Sequence, residues 1–189
     1  MIAVFLADSF EEIEALATVD FLRRCGLEVQ TIGIGGKLIR GAHGICVMSD
    51  WEPEGRADEI PWDGFEAVVL PGGLPGTTNL EASEAVQCAI EYARKNRLLI
   101  AAICAAPSIL AHVGLLRGKR ATCFPGYEAE LLEGGASLGN EYVVEDGDII
   151  TARGAGCSLQ FAQAIAKRFV GEAKARDTLL AMQLPERAL

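Results

Sequence analysis

The sequence predicts an α/β fold: a mostly parallel sheet with helices on both faces. Four short apolar runs, Ile2 to Ala7, Leu27 to Ile34, Ala67 to Leu70 and Leu98 to Ile103, read as strands, the first and last of them continuously hydrophobic as strands covered on both faces are. Helical patterns lie between or after most of these runs, the alternation that builds parallel sheets through crossover connections. A chain of 189 residues, half of them hydrophobic, can also close a full core, so residues 1–189 are expected to form a single domain.

The elements follow in order. After the first strand, Ser9-Phe10-Glu11-Glu12 reads as a capping box, with Ser9 as N-cap and Glu12 reaching back to it. In the helix that follows, Ile13, Leu16, Ala17 and Phe21 are expected to face inward, Glu14 falls at the margin of that stripe, and Glu11 and Glu12 point away. The segment Asp50 to Asp63, with two prolines and seven charged residues, is the expected surface loop. Ala67 to Leu70 runs into Pro71-Gly72-Gly73-Leu74-Pro75-Gly76. Leu98 to Ile103 follows the charged stretch Arg94 to Arg97 and stops at Cys104, after which Pro107 fits the first turn of a helix through Ser108 to Leu116. Tyr142 to Ile150 reads as a hairpin around Asp146-Gly147. Thr151 then leads through Arg153-Gly154-Ala155-Gly156 to a helix over Ser158 to Val170.

Composition narrows the partners. Seventeen basic against 26 acidic residues give a net charge of -9, a field that repels nucleic acid and anionic membranes. The start, MIAVFLADSFEE, turns acidic after a very short apolar run, unlike a secretion signal or membrane span, so the cytoplasm is the expected location. The six cysteines, at 25, 46, 88, 104, 123 and 157, contain no C-x-x-C pair, and neither histidine flanks one. No metal, cofactor or disulfide is expected, and five of the cysteines read as small buried hydrophobes.

Cys104 stands apart because it joins a buried strand to a helix. Small residues two before and two after, Ala102 and Ala106, would relieve a sharp turn there, as in a G-x-S-x-G elbow. The following helix would aim its N-terminal amides at the sulfur and lower the thiol pKa. The same pattern also suits an inert cysteine ending a core strand. In PGGLPG, Gly72 and Gly73 could offer backbone N–H donors to an oxyanion, or the loop could be a plain turn. Its lack of G-K-[ST] argues against a phosphate loop. Glu14 could reach a pocket from the edge of its helix face or serve only as a solvated acid near the helix start. On local pattern alone each pair of alternatives stays open.

Taken together, LADSFEEIEA, VVLPGGLPG, AAICAAP and TARGAG resemble, in order and spacing over nearly the whole chain, the ThiJ/PfpI superfamily and its Parkinsonism-associated deglycase branch. The resemblance implies a flavodoxin-like (class I glutamine amidotransferase-like) sandwich and a homodimer. It places the reactive cysteine at Cys104, its glutamate partner at Glu14, and the oxyanion-side donors at Gly72, Gly73 and the amide of Ala105. Two positions depart from relatives. Ala105 stands where the protease-like branch has a histidine after the nucleophile, which weakens a Cys-His peptidase reading. Phe124, in Cys123-Phe124-Pro125, stands where many deglycase-branch members have a histidine, and it cannot transfer a proton. His112 reads as packing or partly exposed, and His43 as a residue near a dimer interface.

The resemblance implies a glutathione-independent glyoxalase or deglycase without cofactor, in which Cys104 attacks a small-molecule aldehyde such as methylglyoxal or a glycated substrate and Glu14 moves protons. A different class of reading is an oxidative-stress sensor or redox chaperone whose Cys104 is oxidised without turnover. An amidase or peptidase of the same superfamily is the third.

Overall fold

In the computed structural model, residues 1–53 and 60–184 are described. A six-stranded sheet is built from β1 (Ile2–Ala7), β2 (Val29–Ile34), β5 (Ala67–Leu70), β6 (Leu99–Ile103), β9 (Val143–Asp146) and β10 (Ile149–Ala152), in the spatial order β2-β1-β5-β6-β10-β9. All neighbouring pairs are parallel except β9 and β10, which form an antiparallel hairpin at one edge. The parallel strands stand in the order second, first, third, fourth, fifth along the chain, the flavodoxin-like arrangement, whose switch point lies between β1 and β5.

Strand periodicity divides the core in two. Ile2, Val4 and Leu6 of β1 face one layer, shared with α1 (Glu12–Arg24), α6 (Ser158–Val170) and α7 (Glu172–Ala181). Ala3, Phe5 and Ala7 face the other, shared with α3 (Glu84–Asn96) and α4 (Pro107–His112). Both faces of the central strands are thereby covered, which is why their sequences read as unbroken apolar runs. Phe5, Phe10, Phe21 and Phe161 are fully buried, and truncating any one to alanine should cost about 3–5 kcal/mol.

The four expected strands, the β9–β10 hairpin and α6 agree with the sequence reading, which did not find the short strands outside the central sheet; two helices differ from it. α1 begins at Glu12, and its N-cap is Glu11, whose Oε2 accepts the Glu14 N–H at 2.7 Å. Ser9 instead has φ +70 and donates its N–H to the Arg40 carbonyl, turning the chain before the helix. The inward face is Glu12, Glu14, Ala15, Thr18, Val19, Phe21 and Leu22, so of the expected stripe only Phe21 is buried, and Ile13 is exposed. The predicted outward direction of Glu12 is likewise corrected. Its carboxylate is buried because it accepts the His43 and Ile45 N–H groups of the loop joining β3 (Leu38–Arg40) to β4 (Cys46–Met48) and meets the His43 ring at 2.9 Å.

The helix after Cys104 is shorter than predicted, ending at His112 where the chain turns through Gly114 at φ +76. Pro107 does occupy its first turn. Of the predicted surface loop, residues 54–59 lie outside the described residues, while Ile60 is buried and Trp62–Gly64 forms a short 3-10 turn. The remaining elements are α2 (Gly76–Glu81), α5 (Glu128–Glu133) and the short parallel pair β7 (Arg120–Ala121) and β8 (Ser137–Leu138). No helix among the described residues is long and apolar enough to cross a membrane.

Candidate active site

The carboxyl ends of β1, β5, β6 and β10 bring four chain segments to one edge of the sheet. In open α/β sheets that edge is where ligands bind. The loop after β5 places Gly72 and Gly73, the loop after β6 places Cys104, and the loop after β10 places Gly154 and Ala155. Glu14 reaches them from the first turn of α1.

Cys104 is half-buried and has φ +66, a left-handed conformation that costs a non-glycine residue about 1–3 kcal/mol and needs surrounding structure to hold it. Two backbone bonds fix it: its N–H donates to the Ala152 carbonyl at 2.9 Å, and its carbonyl accepts the Phe124 N–H at 2.8 Å. Ala102 and Ala106 are fully buried on either side, where larger side chains would crowd the bend. The strand-to-helix elbow read from AAICAAP is therefore present.

Glu14 is only 1% exposed and has no basic partner among the described residues. Its Oε2 accepts the Gly72 N–H at 2.8 Å, and the Ala155 amide and the Cys104 side chain are the other groups that favour its charged form. Gly72 has to be glycine: a Cβ there would lie 2.5 Å from the Cys104 Cβ and 2.7 Å from Glu14 Oε2. The Gly72 amide is thus committed to Glu14 and is not free to face an oxyanion. The amides directed at sulfur are those of Gly73 and Ala105. The Ala155 donor was missed in the sequence, although TARGAG, with its small residues after β10, marked the loop that supplies it.

Burial pushes the Glu14 carboxyl up to about 7, against the bonds from Gly72, Cys104 and Ala155. Burial also raises the Cys104 thiol, and the charge of Glu14 and its acceptance of the S–H bond add to that, lifting it to about 12 against the Ala105 and Gly73 amides. This differs from the expected lowering by the helix dipole, since α4 is only six residues long and an ionised carboxylate is nearer. The two contributions from Glu14 exist only while it is charged. Once Glu14 holds the proton it becomes a neutral donor, and sulfur keeps both amides without the opposing charge. The two groups act on each other directly, so their titrations are coupled.

Neither histidine bonds to this pair. His43 is engaged with Glu12, and His112 Nδ1 contacts Glu81 Oε1 at 2.6 Å, with Glu130 on its other nitrogen. Phe124 is partly exposed and lays its ring against Gly154. Among the described residues one set could offer metal ligands, Glu11, Glu12 and His43, whose ligand atoms lie within 4.8 Å of one another. Both Glu12 oxygens already serve the β3–β4 loop there. The other cysteines are free: Cys25, Cys123 and Cys157 are buried and Cys88 is half-buried, but Cys46 is exposed on β4, contrary to the expected burial, because its short strand lies on the surface.

A flavodoxin-like sheet with a strained cysteine at a strand-to-helix elbow and a buried carboxyl against its sulfur defines a class of cysteine-centred α/β proteins. The profile of the DJ-1/PfpI family matches residues 1–168, and the chain belongs to that family. It is 34% identical to protein DJ-1beta of Drosophila melanogaster over 92% of this chain and 91% of that one. The crystal structure of the fly protein superposes with a TM-score of 0.89 at 33% identity, covering 97% of each chain. A deglycase of Pyrococcus abyssi is 33% identical over 80% of this chain and 89% of its own. A glutathione-independent glyoxalase of Caenorhabditis elegans is 30% identical over 89% and 88%, respectively.

Proposed function

We propose that the protein is a glutathione-independent glyoxalase or deglycase that converts reactive α-oxoaldehydes such as methylglyoxal into α-hydroxy acids, with Cys104 as nucleophile and Glu14 as the proton carrier. The observation that carries this reading is the placement of a strained Cys104 and a buried Glu14 carboxyl, raised to about 7, on the two sides of Gly72, where a general base works best near neutral pH. Glu14 takes the thiol proton as sulfur adds to the aldehyde carbon, and the oxyanion formed faces the Gly73 and Ala105 amides. That oxygen then takes a proton to give a hemithioacetal. The carboxylate next removes the C–H proton of the same carbon, giving an enediol, and returns a proton to the neighbouring keto carbon. The former aldehyde carbon becomes a thioester carbonyl, and water cleaves it to release the hydroxy acid and the thiol. Oxidation at one carbon balances reduction at the next, so no outside oxidant or reductant enters.

The names of the archaeal and nematode relatives support this chemistry and small-molecule or glycated substrates. The reading includes one domain over residues 1–189, a reducing cytoplasmic setting and a homodimer. The exposed apolar side chains of Ile13, Leu38, Ile45 and Met48, on α1 and the β3–β4 hairpin, favour self-association. A sensor role is the second reading, favoured by the two amides at sulfur, which suit the oxygens of a sulfinate.

The test is lactate formation from methylglyoxal by the purified protein beside Cys104→Ser, with a peptide substrate in parallel. Turnover that vanishes in the variant supports the enzyme. Equal trace rates in both proteins leave the sensor reading, and Cys104-dependent peptide cleavage would favour an amidase or peptidase instead.

A further inference from the structure

Next to Glu14 lies a cleft of about 600 Å³ lined by Phe124, Pro125, Tyr142, Arg153 and Gly154. We propose that this cleft is a subsite for the anionic end of the substrate, with Arg153 binding a carboxylate, so that α-oxoaldehydes carrying an acid group are preferred over neutral ones. The inference rests on the aldehyde chemistry proposed above and names its substrate class.

The cleft adjoins the reacting groups through one glycine. A Cβ at Gly154 would sit 3.2 Å from the Phe124 ring and 3.8 Å from Glu14 Oε1, so one residue of the cleft wall lies directly against the carboxyl. Phe124 is bonded through its N–H to the Cys104 carbonyl, and the amide of Ala155, two residues beyond Arg153, favours the charged form of Glu14. Two residues of extended chain span at most about 7 Å, which sets the Arg153 backbone no further than that from Ala155.

Arg153 is presented for such a contact. Its guanidinium lies over the Tyr142 ring, 5.5 Å from the centroid, and its N–H donates to the Tyr142 carbonyl, which positions the ring beneath it. A guanidinium held over a ring face by its charge still carries five N–H donors, the group that pairs bidentately with a carboxylate. Among the described residues no carboxylate forms an ion pair with it. Glu128, whose charge Arg153 does feel, places its own Oε2 on the Gly126 N–H at 2.6 Å. On a chain of net charge -9, a half-buried cation over an aromatic ring in a cleft also lined by Phe124 is a local exception that suits an anion with an apolar stem.

The test compares γ,δ-dioxovalerate, an α-oxoaldehyde with a terminal carboxylate, with its neutral methyl ester. In the wild type the acid should exceed the ester in kcat/KM by at least about tenfold, and Arg153→Gln should bring the ratio close to one. Arg153→Lys should retain part of it, because the charge stays and the fork is lost. A readout independent of turnover is the protection of Cys104 from iodoacetamide by levulinate against methyl levulinate, with the same preference expected and the same loss in Arg153→Gln. Protection without turnover of any oxoaldehyde would refute the proposed activity and uphold the subsite. Equal treatment of acid and ester by the wild type overturns the subsite, whether or not Arg153→Gln folds, and so does a preference that survives in that variant.

Discussion

Glu14→Gln should remove a pH dependence of folding stability that the wild type carries. The Glu14 carboxyl moves from 4.5 in the unfolded chain to about 7 in the folded protein, chiefly because burial disfavours its charge. A group raised on folding contributes stability that is fully present below its unfolded pKa and is lost as pH rises through the folded one. At about 1.4 kcal/mol per pKa unit, the loss approaches about 3 kcal/mol above neutrality. Gln keeps an acceptor for the Gly72 N–H and a donor toward Cys104 but cannot ionise. Urea unfolding of both proteins between about pH 5 and about pH 8 isolates this contribution, because titrations common to both, such as the His43–Glu12 pair, cancel in the difference. The wild type should lose up to about 3 kcal/mol relative to the variant across that window. Parallel stability curves, within about 0.5 kcal/mol, would show that Glu14 is not held neutral by its surroundings and would refute the reasoning.

Gly72→Ala should cost about 1–3 kcal/mol of stability and slow Cys104 alkylation, because the added Cβ overlaps both Cys104 and Glu14; thermal unfolding and iodoacetamide kinetics check the two effects. Cys104 should gain oxygen under mild peroxide before Cys25, Cys46, Cys88, Cys123 or Cys157, as peptide mass spectrometry can read; since Cys46 is exposed, its oxidation first would show that access outweighs the elbow. Sedimentation at low micromolar concentration should find a dimer, and Ile13→Asp with Met48→Asp should shift it toward monomer; a wild-type monomer throughout would leave the exposed apolar set unexplained.

The sheet was legible because its central strands are buried on both faces and leave unbroken apolar runs, with β1, β5 and β6 recovered to within a residue. The elbow was legible for a related reason: a cysteine between a buried strand and a proline at the first turn has few other placements. The inward face of α1 was not, since its buried side includes two glutamates. Burial of Glu12 depends on amides of a loop some thirty residues away, and that of Glu14 on Gly72. No periodicity records such partners. The capping box failed similarly, because Ser9 sits in a left-handed turn whose N–H bonds to Arg40, leaving Glu11 to cap the helix. The role of Ala155 was hidden because a backbone amide has no side-chain signature.

The most direct measurement takes wild type and Glu14→Gln side by side and records both the rate of lactate formation from methylglyoxal and the rate of Cys104 alkylation across pH. If Glu14 carries protons for Cys104, the variant should retain alkylation within about tenfold while turnover falls by about a hundredfold or more, and the wild-type profile should show a transition near the Glu14 titration at about 7. Unchanged turnover and unchanged alkylation in the variant would contradict the account and leave Glu14 as a buried acid that only holds the Gly72 loop.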